Sequence, residues 1–164
     1  MEEWSSQLIT SSGPCCMARF LSAVRQCIEH VVFMHRHRIA HLDISLRNIV
    51  TDYEGHYAYI DFELSRQFDR SCTPLVHVFR ATEMPPECDR NIGVDPFKVD
   101  VWALAVLILR ACKLTGYWVP ELMFLLRPML DEEPNRRPSA VSCLETINYI
   151  TRTLAIGPIC NPSH

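Results

Sequence analysis

The stretch His41-Leu42-Asp43-Ile44-Ser45-Leu46-Arg47-Asn48, followed after a turn by Ile60-Asp61-Phe62-Glu63, decides how the rest of this 164-residue chain is read. It sets a carboxylate, Asp43, shortly before a carboxamide, Asn48, and brings in a second carboxylate at Asp61. Residues 48–51 and 56–62 read as two short strands, and Asp52-Tyr53-Glu54-Gly55 is turn composition that joins such strands into a hairpin. A hairpin at that place folds Asp61 back beside Asn48. Phosphoryl transfer asks for a group that orients the attacking hydroxyl and for hard oxygen ligands to Mg²⁺. Asp43 can supply the first, and Asn48 with Asp61 the second.

Working outward, residues 15–38 carry apolar side chains at Met17, Phe20, Leu21, Val24, Cys27, Ile28, Val31, Val32 and Met34. Spacings of three and four predict an amphipathic helix of about six turns. Residues 63–98 hold five basic residues, four prolines and no strong period, so they read as an irregular loop long enough to need a reason. Residues 99–112 are apolar on nearly every side, the pattern of a helix buried all round. Two further amphipathic helices are expected over 120–130 and 139–154, with Pro138-Ser139 a suitable start for the second. Residues 1–14 read as a loose leader, 15–154 as one unit, and 155–164 as a short tail. The expected fold is mainly α with a small β-hairpin.

Composition narrows the function classes. The chain is 48% hydrophobic with net charge −3, which suits a globular protein and lacks the basic surplus of nucleic-acid binders. Its longest apolar run, residues 101–109, falls short of the roughly 20 residues a membrane span needs, and the N-terminus has no signal-peptide pattern. The expectation is a protein inside the cell, cytoplasmic or nuclear, with no nucleic-acid or membrane partner. Eight cysteines form no CxxC pair, so they read as buried free thiols rather than zinc ligands. His35 and His37, beside Arg36 and Arg38, read as a solvated helix end.

At this point the chain resembles the protein kinases. His41-Leu42-Asp43 with Asn48 looks like their catalytic loop (41–48), and Asp61-Phe62-Glu63 like their metal-binding DFG. Pro85-Pro86-Glu87 looks like the element that closes their activation segment (61–87). Asp100-Val101-Trp102 resembles the DxW that opens their buried central helix, and residues 133–138 resemble the DPxxRP element before their last helices. Order and intervals agree from residue 15 to about residue 150. The resemblance implies the large C-terminal lobe of a kinase. It implies Asp43 as catalytic base, Asn48 and Asp61 as Mg²⁺ ligands, and Val50 under the adenine of ATP. Glu87 and Arg137 would form the family's structural ion pair, Asp100 would hold the catalytic-loop backbone, and His41, Phe62 and Trp102 would be structural. The implied partner is a protein, as substrate or otherwise.

The departures from the family carry equal information. In kinases a Gly-rich loop and a strand Lys grip the ATP phosphates ahead of the catalytic loop. Residues 1–40 contain one glycine, Gly13, and no lysine, so the small N-terminal lobe is expected to lie outside this chain. A large lobe alone would expose its share of a lobe interface of about 600–1,500 Å². Leu42 replaces an Arg that often receives an activation-segment phosphate, which argues against the usual control through Ser71 or Thr73. Ser45 stands where Ser/Thr kinases keep a phosphate-neutralising Lys, and Arg47 resembles the tyrosine-kinase arrangement. Glu63 in place of Gly looks like small-molecule kinases of the aminoglycoside and choline type, which lack the PPE, DxW and RRP elements. Two alternatives therefore stand beside Ser/Thr phosphoryl transfer: a pseudokinase-type scaffold that binds a protein, and a small-molecule kinase relative.

Overall fold

The structure is a computed structural model and describes residues 16–52, 54–77, 80–90 and 92–154. The expected leader, tail and Tyr53 of the hairpin turn lie outside the described residues. Helix α1 runs Met17–Arg36, close to the span its spacing predicts, and buries Phe20, Leu21, Val24, Cys27, Ile28, Val31 and Val32. The 3.6-residue period puts these side chains on one face. That face packs against α4 (Ala140–Thr153), α2 (Pro96–Thr115) and the hairpin, and Leu122, Leu125, Leu126 and Met129 of α3 (Leu122–Met129) complete the core.

Helix α2 starts before the apolar run that announced it. Asp95 accepts from the N–H groups of Phe97 and Lys98, and Pro96 occupies the first turn, where its missing N–H costs nothing. The helix ends at Gly116, whose φ of 73° is a left-handed exit. Ser139 caps α4 by accepting from the Ser142 N–H, as the Pro138-Ser139 start predicts.

Among the described residues there are two small antiparallel sheets. The expected hairpin is β2 (Ile49–Thr51) with β3 (Tyr57–Tyr59), in the register Ile49 to Tyr59 and Thr51 to Tyr57. Its strands are shorter than expected, so Asp61 and Phe62 lie beyond the ladder. The second sheet has no counterpart in the sequence pattern: β1 (Ile39–Ala40) pairs with β4 (Arg66–Gln67), Ile39 opposite Gln67 and Ala40 opposite Arg66. The stretch 63–98, read as irregular, thus contains a strand, a 3₁₀ turn at Pro86–Arg90, a Val76–Val94 bridge and the start of α2. A second apolar cluster of Ala40, Leu42, Val76, Val94 and Val99, with Leu64, Phe68, Met84 and Phe97 against it, fastens this stretch to the molecule. No helix among the described residues is long and apolar enough to cross a membrane.

Candidate active site

Residues 41–48 leave β1 and reach β2 through an extended Ser45 and a 3₁₀ turn at Leu46–Asn48. Among the described residues, three that are not glycine adopt left-handed backbone, Arg38, Leu42 and Asp61, at φ between 60° and 64°. Each costs about 1–3 kcal/mol and persists only where surroundings over-determine it. Arg38 precedes β1, Leu42 lies in the loop itself, and Asp61 follows the hairpin that begins where the loop ends.

Asp100, fully buried in the second turn of α2, explains Leu42. Its Oδ1 accepts from the Leu42 N–H and its Oδ2 from the His41 N–H, each at 2.8 Å. Oδ2 also receives His35 Nε2 at 2.9 Å. A buried carboxylate requires such compensation, and three partners provide it. His35 is thereby no solvated helix-end residue: it reaches inward, whereas His37 is exposed, its Nδ1 on the Phe33 carbonyl.

His41 is fully buried, and its tautomer follows from its partners. The Asp43 N–H can only donate, so Nδ1 accepts it at 3.3 Å; the Ile60 carbonyl can only accept, so Nε2 carries the proton, at 3.2 Å. The imidazole ties residue 43 to residue 60 while its ring packs on Tyr59 and Phe62 at 5.4 and 4.9 Å. Burial pushes the Tyr59 phenol well above its usual range, with the charges of Cys27 and Asp100 adding to the push.

Asp43 and Asn48 meet directly. Asn48 Nδ2 donates to Asp43 Oδ2 and to the Asp43 carbonyl, both at 2.8 Å. Those bonds assign the amide, leaving Asn48 Oδ1 as an acceptor with no donor among the described residues. Asp43 Oδ1 accepts from the Thr82 N–H at 2.7 Å, which draws the far end of the 61–87 segment onto the loop. Thr82 acts through its backbone, so no sequence signal marks it. Asp61 is brought alongside by the hairpin: the Ile60 N–H donates to the Asn48 carbonyl at 2.9 Å, and Asp61 follows with its carboxylate exposed. An amide oxygen and a carboxylate on adjoining strand ends are a hard-oxygen donor set that fits Mg²⁺.

The other expected residues fall in three places. Val50 is buried in β2, Arg47 is exposed, and Ser45 is buried with its hydroxyl unpartnered among the described residues. Phe62 is 52% exposed with one face on His41, and Glu63, exposed, pairs with Arg80 at 3.0 Å. Glu87 and Arg137 lie away from the loop as a buried two-pronged pair, at 2.6 and 2.7 Å, while Trp102 is half-buried on α2. Among the described residues one group of three side chains could hold a metal, Asp52, Glu54 and His56. Asp52 there already accepts from the N–H groups of Glu54, Gly55 and His56 and meets the His56 imidazole, so the group closes the hairpin turn.

Comparison with known proteins gives a consistent family. Residues 3–119 match the family described as protein kinase domain. CBL-interacting serine/threonine-protein kinase 15 of Arabidopsis thaliana is 26% identical over 148 residues, covering 74% of this chain and 35% of the relative. Crinkler effector protein 8 of Phytophthora infestans is 26% identical over 148 residues, covering 87% of this chain and 24% of the relative. The serine/threonine-protein kinase Nek11 of Macaca fascicularis is 29% identical over 156 residues, covering 79% and 24%. The chain thus spans between a quarter and about a third of the length of these relatives.

Proposed function

This chain belongs to the protein kinase domain family, and from that premise we propose that residues 41–61 are the catalytic half of a site transferring phosphate from ATP to protein Ser or Thr hydroxyls. The observation that carries the reading is the Asp43–Asn48 hydrogen bond at 2.8 Å, with Asp61 delivered beside it by the hairpin. Asp43 would orient the acceptor hydroxyl and take its proton, its carboxylate held in place by Asn48 and Thr82. Asn48 Oδ1 and the Asp61 carboxylate would hold Mg²⁺. When bound, Mg–ATP supplies the transferred phosphoryl group and a stabilised leaving diphosphate. The remaining work, fixing the loop's geometry, falls to Asp100, His35 and His41. Protein Ser/Thr is preferred as substrate because the relatives named as kinases act on it, and because PPE, DxW and RRP stand in this sequence. In the lobe reading, residues 15–154 are the large C-terminal lobe, with no lysine ahead of residue 41 to grip the phosphates. The 164 residues alone are therefore expected to transfer phosphate weakly or not at all.

The test is transfer from Mg–ATP to a generic protein substrate by the natural full-length product. Asp61→Asn and Asp43→Asn should each lower it by about 100-fold or more. A full-length product without transfer overturns the reading.

One observation favours the scaffold alternative: Ser45 puts a buried, uncharged hydroxyl where transfer profits from a cation. Mg–ATP at 100 times its Kd should raise stability by about 2.7 kcal/mol if the nucleotide site is intact. A flat response together with a stoichiometric protein partner favours the scaffold.

A further inference from the structure

Arg38 is the turn residue between α1 and β1, and its backbone lies at φ 60°. Glycine enters that region freely and arginine does not. An arginine held there needs a compensating contact, and its guanidinium supplies several. Nη2 donates to the Asp69 carbonyl at 3.0 Å and to the Cys72 carbonyl at 2.9 Å. The guanidinium carbon lies 5.5 Å from the centroid of the Phe97 ring, on the first turn of α2. The Arg38 carbonyl accepts from the Phe68 N–H at 2.8 Å, and the β1–β4 ladder begins at the next residue. One residue thus holds the 61–87 segment at 68, 69 and 72 and braces it on α2. The Leu42 side chain, by contrast, is buried in the apolar cluster with Val76 and Val94 and carries neither a charge nor a polar atom. Ser71 and Thr73 are exposed.

We propose that Arg38 is the positioning residue of the activation segment. It fixes the segment's first half by recognising main-chain carbonyls, without phosphorylation of Ser71 or Thr73. Carbonyl recognition needs no added anion, so the segment is set as soon as the chain folds. This deepens the kinase reading and takes the segment's role from it, while the contact itself stands without it. Nothing in the local sequence announces the role, because a guanidinium's partners 31 and 34 residues away are fixed only by the fold.

The test is amide hydrogen exchange across the whole chain, with the melting temperature measured beside it. Arg38→Gly relieves the backbone and removes the guanidinium. Exchange over 66–72 should rise about tenfold while the melting temperature holds or rises. Arg38→Lys keeps the charge and the unfavourable backbone but loses the planar group that rests on Phe97 and aims Nη2 at both carbonyls; it should loosen the same residues and lower the melting temperature. The Ser71→Ala/Thr73→Ala variant should exchange as the wild type does. Three outcomes overturn the proposal: unchanged exchange in Arg38→Gly, a uniform rise across the chain with a lower melting temperature, or loosening of the segment in the Ser71/Thr73 variant. Because none of these readouts uses phosphate transfer, an inactive protein with a segment loosened by Arg38→Gly defeats the enzyme reading alone.

Discussion

Arg137 donates to both carboxylate oxygens of Glu87, to the Asp131 carbonyl through Nε and to the Lys98 carbonyl through Nη1. Both partners are under 5% exposed, so the pair sits beyond the screening that makes surface ion pairs nearly worthless. Its value lies in mutual dependence: removing one partner strands a buried charge. Glu87→Ala should therefore cost about 3–5 kcal/mol in urea denaturation, and a double replacement of Glu87 and Arg137 by apolar residues should cost less than Glu87→Ala alone. The thiols separate as sharply. Burial pushes Cys27 and Cys143 up to about 12, and Cys88 and Cys112 up to about 11, whereas Cys72 is exposed. Alkylation at pH 8 followed by peptide mass analysis should modify Cys72 well before Cys27 and Cys143, since the thiolate is the reacting form. Equal labelling of Cys27 and Cys72 would contradict this.

Elements differ in how openly they declare themselves. Helix α2 closes on Gly116, where an added Cβ would meet nothing within 4 Å. The whole penalty of Gly116→Ala is then conformational, about 1 kcal/mol, and a larger loss in thermal denaturation would contradict this. Helices α1, α3 and α4 are legible from an apolar period that repeats over successive turns, α2 from a run apolar on nearly every side, and the β2–β3 hairpin because strand composition meets turn residues at Asp52–Gly55. Sheet β1–β4 is not: two-residue strands carry no period, and the partners of Ile39 and Ala40 lie across the whole hairpin. Helix α2 begins ahead of residue 99 because an apolar run marks burial, while Asp95-Pro96 marks the cap. Within the candidate site, Asp43, Asn48 and Asp61 could be read from residue type and interval. His35, Arg38 and the Thr82 backbone could not, since their partners are distant carbonyls, a buried carboxylate and Asp43 itself.

At the scale of the molecule, two apolar clusters share the load: the large one among the four helices and the hairpin, the smaller under the 64–97 stretch. His30 sits at the edge of the first, its ring 6.1 Å from that of Tyr59. Burial lowers its pKa below the ordinary 6.5, against a weaker opposing pull from Glu29. Below about pH 6.5 the unfolded chain therefore takes up a proton at this residue that the folded chain resists, and stability falls. Melting temperatures measured from pH 7.5 to 5 should decline less steeply for His30→Gln than for the wild type; parallel curves would remove His30 from the account.

The candidate loop is hung from Asp100, and Asp100 belongs to α2, a helix that packs against α1, α3 and β1 and buries half of its residues. A loop suspended from an interior girder has little softness of its own. Warming ought not to blur it ahead of the rest, and loosening a distant methyl contact along α2 ought to be felt at Asp43. Loss of order at residues 41–43 should then coincide with the global melt, and second-site changes in the interior should alter the geometry of the loop as readily as changes beside it.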